Sequence, residues 1–454
     1  MVGEHSGENM AEEVWNCIEL YGLEEKVHTF VMDNASNNDT LMENIAIKCA
    51  AADIPFDATE ARIRCMPHTA HLAAIKLLEA IGAISKSTRK KAESKLTAYQ
   101  DADDNNGDFD EEDEEDEEYD SEVRSGHGVQ KLRSVEKLRK IIRSIRASPQ
   151  RRQEWIREVE ISPDFISGAL GTQALMPILD VKTRWSSTHQ MLHDYLSSYC
   201  RAIDHRKIID DFVGRHRDLR PLDLSDSDWE AIILVTGWLK SFRTATTLMS
   251  TTKRPMLSFT HAVFRGLQED LRTSLKQLPF STPSVLRNGL LEAHRKLSDY
   301  YYKMDQSPYY TWAALLDPRI SYEGLKADFN NDEDDLMLHL EASKTALNEH
   351  FRSNYALRKT NVVSIAPPAA SSSSRQLGSP QKDFTARYHV QRRVVLDELR
   401  EYYSLPREDF TLCDPVQWWV ARKAQFPNLF CLARDLLTIP GSAVAVERIF
   451  FWWP

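Results

Sequence analysis

The stretch DPVQWWVARKAQFPNLFCLARDLLTIPGSAVAVERIF occupies residues 414–450 and carries large apolar side chains at helical spacing. The recurring positions are Trp418, Trp419, Phe426, Leu429, Leu432, Ala433, Leu436 and Leu437. Apolar residues that repeat every three or four positions lie on one face of a helix. We predict helices here with more apolar surface than one helix can bury by itself, so the segment should pack against another surface.

Length and composition narrow the class of protein. At 454 residues, with 42% hydrophobic and 28% charged residues, the chain can form two or three folded units. Its longest apolar run, AIILVTGWL at 231–239, is shorter than the roughly 20 residues that span a bilayer. The first residues show no secretory pattern, and the six cysteines form no spaced disulfide framework. We therefore expect an intracellular protein without a membrane partner.

The formal net charge of -11 comes from one segment. Residues 101–120, DADDNNGDFDEEDEEDEEYD, hold 14 of the 68 acidic side chains, and the remaining 54 nearly balance 57 basic ones. Residues 124–157 then carry 11 Lys or Arg against two Glu. The basic run RKIIRSIRASPQRR at 139–152 could bind a phosphate backbone or act as a nuclear import signal. Equally, it could be a solvated helix face balanced by the acidic tract.

The segment 1–96 has an α/β pattern. KVHTFVMD at 26–33 and ARIRCMPH at 61–68 are strand candidates, and a helical pattern follows each of them. Ser36 or Asn37 is the candidate N-cap of the first of these helices. Two successive strand-to-helix units predict a layered α/β core.

The rest of the chain divides by composition. Residues 97–125 are predicted to be a disordered acidic linker and 359–383 a Ser/Pro-rich linker, because neither can bury enough apolar surface. Between them, residues 126–358 have an almost entirely helical pattern. Within it, Arg184 and Trp185 open a helix, with Thr183 as a possible cap; by itself, such a Trp is most simply a core anchor.

Two motifs could carry chemistry. In VMDNASNND at 31–39, Asp33 ends a short strand, where a carboxylate can bind a divalent metal or simply form a turn. Cys65 and His68 form a C-x-x-H pair with His71 one turn later. These three side chains could be zinc ligands, or a buried Cys with structural His hydrogen bonds.

Six blocks together resemble the hAT superfamily of DNA transposases, particularly fungal ones. In chain order they are GEHSGENMAEEV (3–14), VMDNASNND (31–39), RCMPHTAHLA (64–73), DVKTRWSSTHQML (180–192), ALLDPR (314–319) and the C-terminal stretch quoted above. The resemblance implies a mixed α/β, mostly helical fold: an incomplete ribonuclease H-like core interrupted by a large α-helical insertion domain. Residues 384–454 would then contain the C-terminal dimerisation region and the end of that core.

The resemblance also implies roles for individual residues. Asp33 corresponds to the second catalytic Asp and Glu447 to the catalytic Glu, which would share Mg²⁺ or Mn²⁺ if the protein were active. The Arg184 and Trp185 pair would contact DNA, and the Cys65 and His68 motif would support the fold and DNA positioning. Self-association, with the same or related hAT chains, would use Trp418, Trp419, Leu429, Leu432 and Leu436.

Three functions follow as hypotheses. Residues 1–32 contain no Asp that could serve as the first catalytic carboxylate, so we expect a truncated, catalytically inactive transposase-like protein that retains dimerisation. On that expectation Asp33 and Glu447 are vestigial. The alternatives are an active metal-dependent DDE-type DNA transposase, and a domesticated DNA-binding protein; a nuclear location suits all three.

Overall fold

The computed structural model describes residues 6–94, 134–168, 173–192, 202–251, 254, 256–329, 334–356 and 397–444. They form two compact units. The first comprises Met1–Thr251, Thr260–Ser307 and Ser442–Pro454, and the second comprises Thr252–Phe259 and Pro308–Gly441. The prediction of a mixed, mostly helical fold is confirmed. Both predicted linkers lie entirely outside the described residues.

The first unit contains twelve labelled helices and two strands within its described residues. In chain order these are α1 Gly7–Leu20, β1 Phe30–Met32, α2 Asn37–Ala51, β2 Arg62–Arg64, α3 Met66–Ala80, α4 Lys86–Ser94, α5 Ser134–Arg146, α6 Pro149–Ile161, α7 Pro163–Ile166, α8 Trp185–Leu192, α9 Arg206–Arg215, α10 Asp226–Met249, α11 Thr260–Gln277 and α12 Ser284–Met304.

The two strands form a parallel β-α-β unit. Phe30 pairs with Arg62 and Met32 with Arg64, and α2 connects the strands. Both strands are shorter than the sequence predicted, but each lies inside its predicted stretch. Ser36 occupies the N-cap position of α2, as one of the two predicted candidates, but its side chain forms no capping hydrogen bond. A two-stranded sheet in the described residues does not establish a ribonuclease H-like core.

Helix α1 packs on α2, and α3 packs on α12. The first contact is close, because a Cβ added at Gly7 would lie 2.4 Å from the Asn37 carbonyl oxygen. In the second, a Cβ at Gly289 would lie 2.5 Å from Ile81 Cγ2. Glycine at these two positions therefore lets the helices approach to distances that no side chain would permit.

Helix α5, which follows the acidic tract in sequence, buries one apolar face within the described residues. Val135, Leu138, Ile141, Ile142 and Ile145 are fully buried. The N-terminal end of α5 is tied to α10, where Ser134 Oγ donates to Asp228 Oδ1 at 2.6 Å.

The second unit contains six α-helices within its described residues. These are α13 Tyr309–Leu316, α14 Ser321–Phe329, α15 Asp334–Asn354, α16 Glu398–Tyr403, α17 Pro415–Arg422 and α18 Leu429–Leu437. Helix α13 is apolar on all sides and packs against α18, α14 and α15. It therefore forms the centre of this unit.

Glu398 and Asp414 position the C-terminal helices. Glu398 on α16 accepts hydrogen bonds from the backbone N–H groups of Asn428 and Leu429, at 3.1 and 2.7 Å. These groups lie at the start of α18, where helix N–H groups lack partners in the preceding turn. Asp414 caps α17 in the same way, by accepting from Val416 N and Gln417 N.

No helix in the described part of the chain is long and apolar enough to cross a membrane.

Candidate functional site

The candidate catalytic residue Asp33 lies at the carboxyl end of β1. The Cys65 motif follows β2 at the same edge of the sheet, because the strands are parallel. Ligand and metal sites in parallel sheets commonly lie at this edge. The β-α-β unit therefore places two motifs that are 32 positions apart in sequence at one edge of the sheet.

The Asp33 carboxylate is half-buried and bonds within its own loop. Its Oδ1 accepts from Ala35 N at 2.9 Å and from Asn38 Nδ2 at 2.6 Å. Across the described residues, hydrogen bonds to this side chain reach only Oδ1. Asp33 therefore forms a turn, which was the simpler of the two roles predicted from the sequence. The hydrogen bonds of this turn do not use Oδ2.

Two arginines of β2 hold the loop after Asp33. Arg62 donates to the Asp33 and Ala35 carbonyl oxygens at 3.4 and 3.2 Å, and it forms an ion pair with Asp39. Arg64 Nη2 lies 3.4 Å from Asp39 Oδ1. Both arginine side chains are almost completely buried, which makes this loop a rigid support for Asp33. Sequence reasoning missed them, although RIR at 62–64 showed two charges on one face of a strand.

Cys65, His68 and His71 are buried around the start of α3. Cys65 is fully buried, and His68 and His71 are 5% and 1% exposed, with their rings 5.7 Å apart. Cys65 Sγ accepts a hydrogen bond from the Ala443 N–H at 3.4 Å. The C-x-x-H motif thus contacts a segment 378 residues away in sequence, which the sequence did not suggest.

A bound metal ion needs several ligand side chains close together. The described residues contain no group of three or more His, Cys, Asp or Glu side chains able to hold a metal ion. Asp33 supplies one carboxylate, and Glu447 lies outside the described residues. Taken alone, the described residues therefore do not fit a divalent metal or zinc.

Trp185 is a core residue of the first unit. It begins α8, is 1% exposed and packs edge-to-face on Phe242, with ring centroids 6.3 Å apart. Its indole N–H is buried and has no hydrogen-bond partner among the described residues. Arg184 beside it is half-buried. Trp185 therefore has the geometry of a core anchor, which was the simpler interpretation of the sequence. DNA contact by Arg184 and Trp185 remains a prediction.

The aspartate of the same DVKTRW block forms a buried ion pair that sequence reasoning missed. Arg139 Nε and Nη2 donate to the two Asp180 oxygens, each at 2.7 Å, and Thr188 Oγ1 donates to Oδ2 at 2.7 Å. Burial alone would raise the pKa of Asp180, but the charge and hydrogen bonds of Arg139 outweigh burial and lower it. Glu136 also pairs with Arg139. Arg139 was counted in the basic run, yet it is an interior residue.

The predicted dimerisation residues are buried inside the second unit. Trp418 and Trp419 are 7% and 1% exposed, and the three leucines are at most 3% exposed: Leu429, Leu432 and Leu436. Trp419 Nε1 donates to the Leu316 carbonyl oxygen at 2.8 Å, which ties α17 to α13. We predicted that this apolar surface would pack against another surface. In the structure, that other surface belongs to the same chain.

Other side chains of the C-terminal segment are exposed. Phe410, Leu412 and Val420 are 47%, 87% and 50% exposed. Leu412 lies in a turn that Asp409 fixes by accepting from Thr411 N and Leu412 N, at 2.8 and 2.9 Å. This segment therefore presents apolar side chains on an ordered backbone.

Comparison with known proteins bears directly on this segment. Residues 398–451 match the hAT family C-terminal dimerisation region. A Zea mays protein named as an AC transposase is 22% identical over 465 residues, covering 99% of this chain and 48% of that protein. This chain is hAT transposase-like.

Two further relatives extend the comparison. A Talaromyces stipitatus protein named as a transcriptional regulator, tpeD, is 24% identical over 453 residues, covering 99% of this chain and 45% of that protein. An Arabidopsis thaliana zinc finger BED domain-containing protein, DAYSLEEPER, is 24% identical over 279 residues, covering 60% of this chain and 36% of its own length. The chain spans less than half the length of these curated relatives.

Proposed function

We propose that this hAT transposase-like chain associates with itself, or with related hAT chains, through the surface of residues 398–444. The observation that carries the proposal is the match of residues 398–451 to the family's dimerisation region. The large side chains of this region are internal, so they shape the surface without contacting the partner. The contact would come from the exposed Phe410, Leu412 and Val420.

The physical argument rests on apolar exposure over a fixed backbone. Exposed apolar residues gain about 25 cal/mol per Å² when they are removed from water, and ordered residues lose little entropy when they bind. Leu412 is the most exposed of the three and lies directly before α17. It is therefore the best single position at which to disrupt the contact.

Sedimentation velocity at micromolar concentration tests the proposal. We expect wild type to sediment as a dimer or higher oligomer, and Leu412→Asp with Val420→Asp to shift it to monomer. Leu338→Asp is the matched control, because Leu338 is 72% exposed but lies outside residues 398–444. A monomeric wild type, or equal loss of association in the control, would remove the basis of the proposal.

A second candidate is metal-dependent DNA cleavage and strand transfer. The hydrogen bond from Ala443 to Cys65 favours it, because it holds residues shortly before Glu447 at the end of β2, beside the strand that precedes Asp33. Duplex substrates incubated with Mg²⁺ or Mn²⁺ should be cut by wild type but by neither Asp33→Asn nor Glu447→Gln. Absence of cleavage by wild type rejects this candidate and leaves the expected inactive protein.

DNA binding without cleavage is a further function consistent with the sequence prediction, and a nuclear location accompanies it. Binding through phosphates releases counterions, so retention on duplex DNA should fall steeply with salt. If Arg184 contributes, Arg184→Ala should reduce retention. Failure to bind duplex DNA at low salt would count against this function and against the predicted roles of Arg184 and Trp185.

A further inference from the structure

Helix α6 of the first unit carries an open groove that none of the functions above uses. Its volume is about 380 Å³, and it is lined by Arg152, Gln153, Ile156, Arg157 and Met176. Ile156 and Met176 are half-buried, whereas the two arginines are exposed. The groove therefore combines an apolar base with positively charged sides.

The charges on α6 are not balanced at this groove. The acidic residues Glu154 and Glu158 of the helix point to other partners: Glu154 Oε2 is 3.2 Å from His216 Nε2, and Glu158 pairs with Arg215. Across the described residues, no carboxylate forms an ion pair with Arg152 or Arg157.

Two further charged residues lie near the groove and affect its net charge. Arg151, next to the groove, is paired with Asp218 at 2.6 Å. Glu160 is also on α6 and exposed, and it forms no ion pair with either arginine among the described residues. The groove thus keeps a net positive charge.

A ligand for this groove needs closely spaced carboxylates and an apolar side chain. The sequence DADDNNGDFDEEDEEDEEYD at 101–120 offers 14 acidic residues, and Phe109 and Tyr119 each lie between two of them. We propose that this acidic segment of the same chain docks in the α6 groove. Its carboxylates pair with Arg152 and Arg157, and an aromatic side chain covers Ile156 and Met176.

The chain between the two sites is long enough. Thirteen residues separate Asp120 from the start of α5, and in extended form they reach about 40 Å. Helix α5 has 13 residues, which is about 20 Å, and only Ala147 and Ser148 separate it from α6. Tethering at this range gives effective concentrations near millimolar, so weak intrinsic contacts suffice to fill the groove.

The docking is tested with a fluorescein-labelled peptide of residues 101–120 and three proteins. The first is the intact chain, and the second is a full-length variant in which residues 101–120 are replaced by a Gly/Ser segment of equal length. The third adds Arg152→Glu and Arg157→Glu to the second. Its matched control carries Lys276→Glu and Arg295→Glu instead, which reverse the same number of exposed charges on α11 and α12.

We expect the Gly/Ser variant to bind the peptide at least tenfold more tightly than the intact chain, whose own segment competes. Arg152→Glu with Arg157→Glu should weaken this binding at least tenfold, and the control double variant less than twofold. A peptide with Phe109→Ser and Tyr119→Ser should bind several-fold more weakly. Circular dichroism melts of each variant confirm that the fold is retained.

Three results would overturn the proposal. One is equal peptide affinity of the intact chain and the Gly/Ser variant. Another is equal loss of binding in the groove and control double variants. The third is a groove that binds duplex DNA through Arg152 and Arg157 without binding the peptide, which would identify nucleic acid as its occupant.

Discussion

Within the described residues each unit contains a fully buried Asp–Arg pair, and the two pairs differ in what they connect. In the first unit, Asp180 and Arg139 are 41 residues apart and join α5 to the segment before α8. In the second, Asp317 and Arg319 are two residues apart, with Arg319 Nε and Nη2 at 2.8 and 2.6 Å from the carboxylate oxygens. The first pair joins two distant segments directly, whereas the second closes a turn whose carboxylate also accepts from Ser258 Oγ at 2.8 Å.

The surroundings of the pairs differ accordingly. Asp180 is also bound by Thr188 Oγ1, on α8. Arg319 lies over the rings of Phe259 and Phe410, at 4.8 and 5.2 Å from their centroids, so its guanidinium keeps favourable contacts without the carboxylate. The comparison indicates that Asp180 of the DVKTRW block and Asp317 of the ALLDPR block both stabilise the fold. Asp33 is the most exposed of these three carboxylates.

Asp180→Asn tests the long-range pair and should have the largest effect. Among the described residues it leaves the buried Arg139 guanidinium with one carboxylate partner, Glu136, and a buried pair that loses one partner costs about 3–5 kcal/mol. Urea unfolding should show this loss of stability. Hydrogen exchange should be faster in α5 and α8 of the first unit. Lys137→Ala removes the more exposed pair with Asp228 and should cost at most about 1 kcal/mol.

Trp419→Ala tests what holds the second unit together. It removes a fully buried ring and its hydrogen bond to Leu316, so it should cost about 3–5 kcal/mol and loosen α17. Hydrogen exchange should increase in α17 and α13. If stability were unchanged while self-association was lost, the ring would be an interface residue, as the sequence first suggested.

Asp317→Asn should destabilise less than Asp180→Asn. Arg319 also loses the carboxylate of a buried pair, but its stacking on Phe259 and Phe410 remains, so the cost should lie at the lower end of about 3–5 kcal/mol. Urea unfolding of both variants side by side measures the difference. A larger cost for Asp317→Asn would mean that the local pair, and not the long-range pair, dominates.

The stability of the first unit should also depend on acid. Because the folded-state pKa of Asp180 is lowered, the ionised carboxylate stabilises the fold above its unfolded pKa, near 4. That stability is lost as the pH falls below 4 and through the folded-state pKa. Urea midpoints between pH 7 and pH 3 should fall more steeply in wild type than in Asp180→Asn. Parallel pH curves would contradict the assignment.

Asp33→Asn should have the smallest effect on stability. The amide oxygen can still accept from Ala35 and Asn38, and Arg62 and Arg64 hold the loop independently of this side chain. We expect a change below about 1 kcal/mol in urea unfolding. A loss of several kcal/mol would make Asp33 a structural residue like Asp180.

The sequence predicted local structure well, because local patterns specify it. The sequence predicted the position of β1 before Asp33 and the helix start at Trp185, and the structure confirms both. The strands were predicted too long because turn residues such as Asp33 and Cys65 follow them directly.

Long-range contacts could not be read from one sequence. Nothing in the spacing pairs Arg139 with Asp180 or Cys65 with Ala443, since these contacts arise from tertiary packing. The same limit applied to Trp418 and Trp419, whose apolar pattern predicts burial but does not identify the surface that buries them. That surface, α13, lies about a hundred residues earlier in the chain.

The mass of the wild-type protein in solution tests the central claim most directly. Light scattering coupled to size exclusion, over a range of micromolar concentrations, should give at least twice the chain mass of 52.2 kDa. The single-chain mass at every concentration would contradict self-association through residues 398–444.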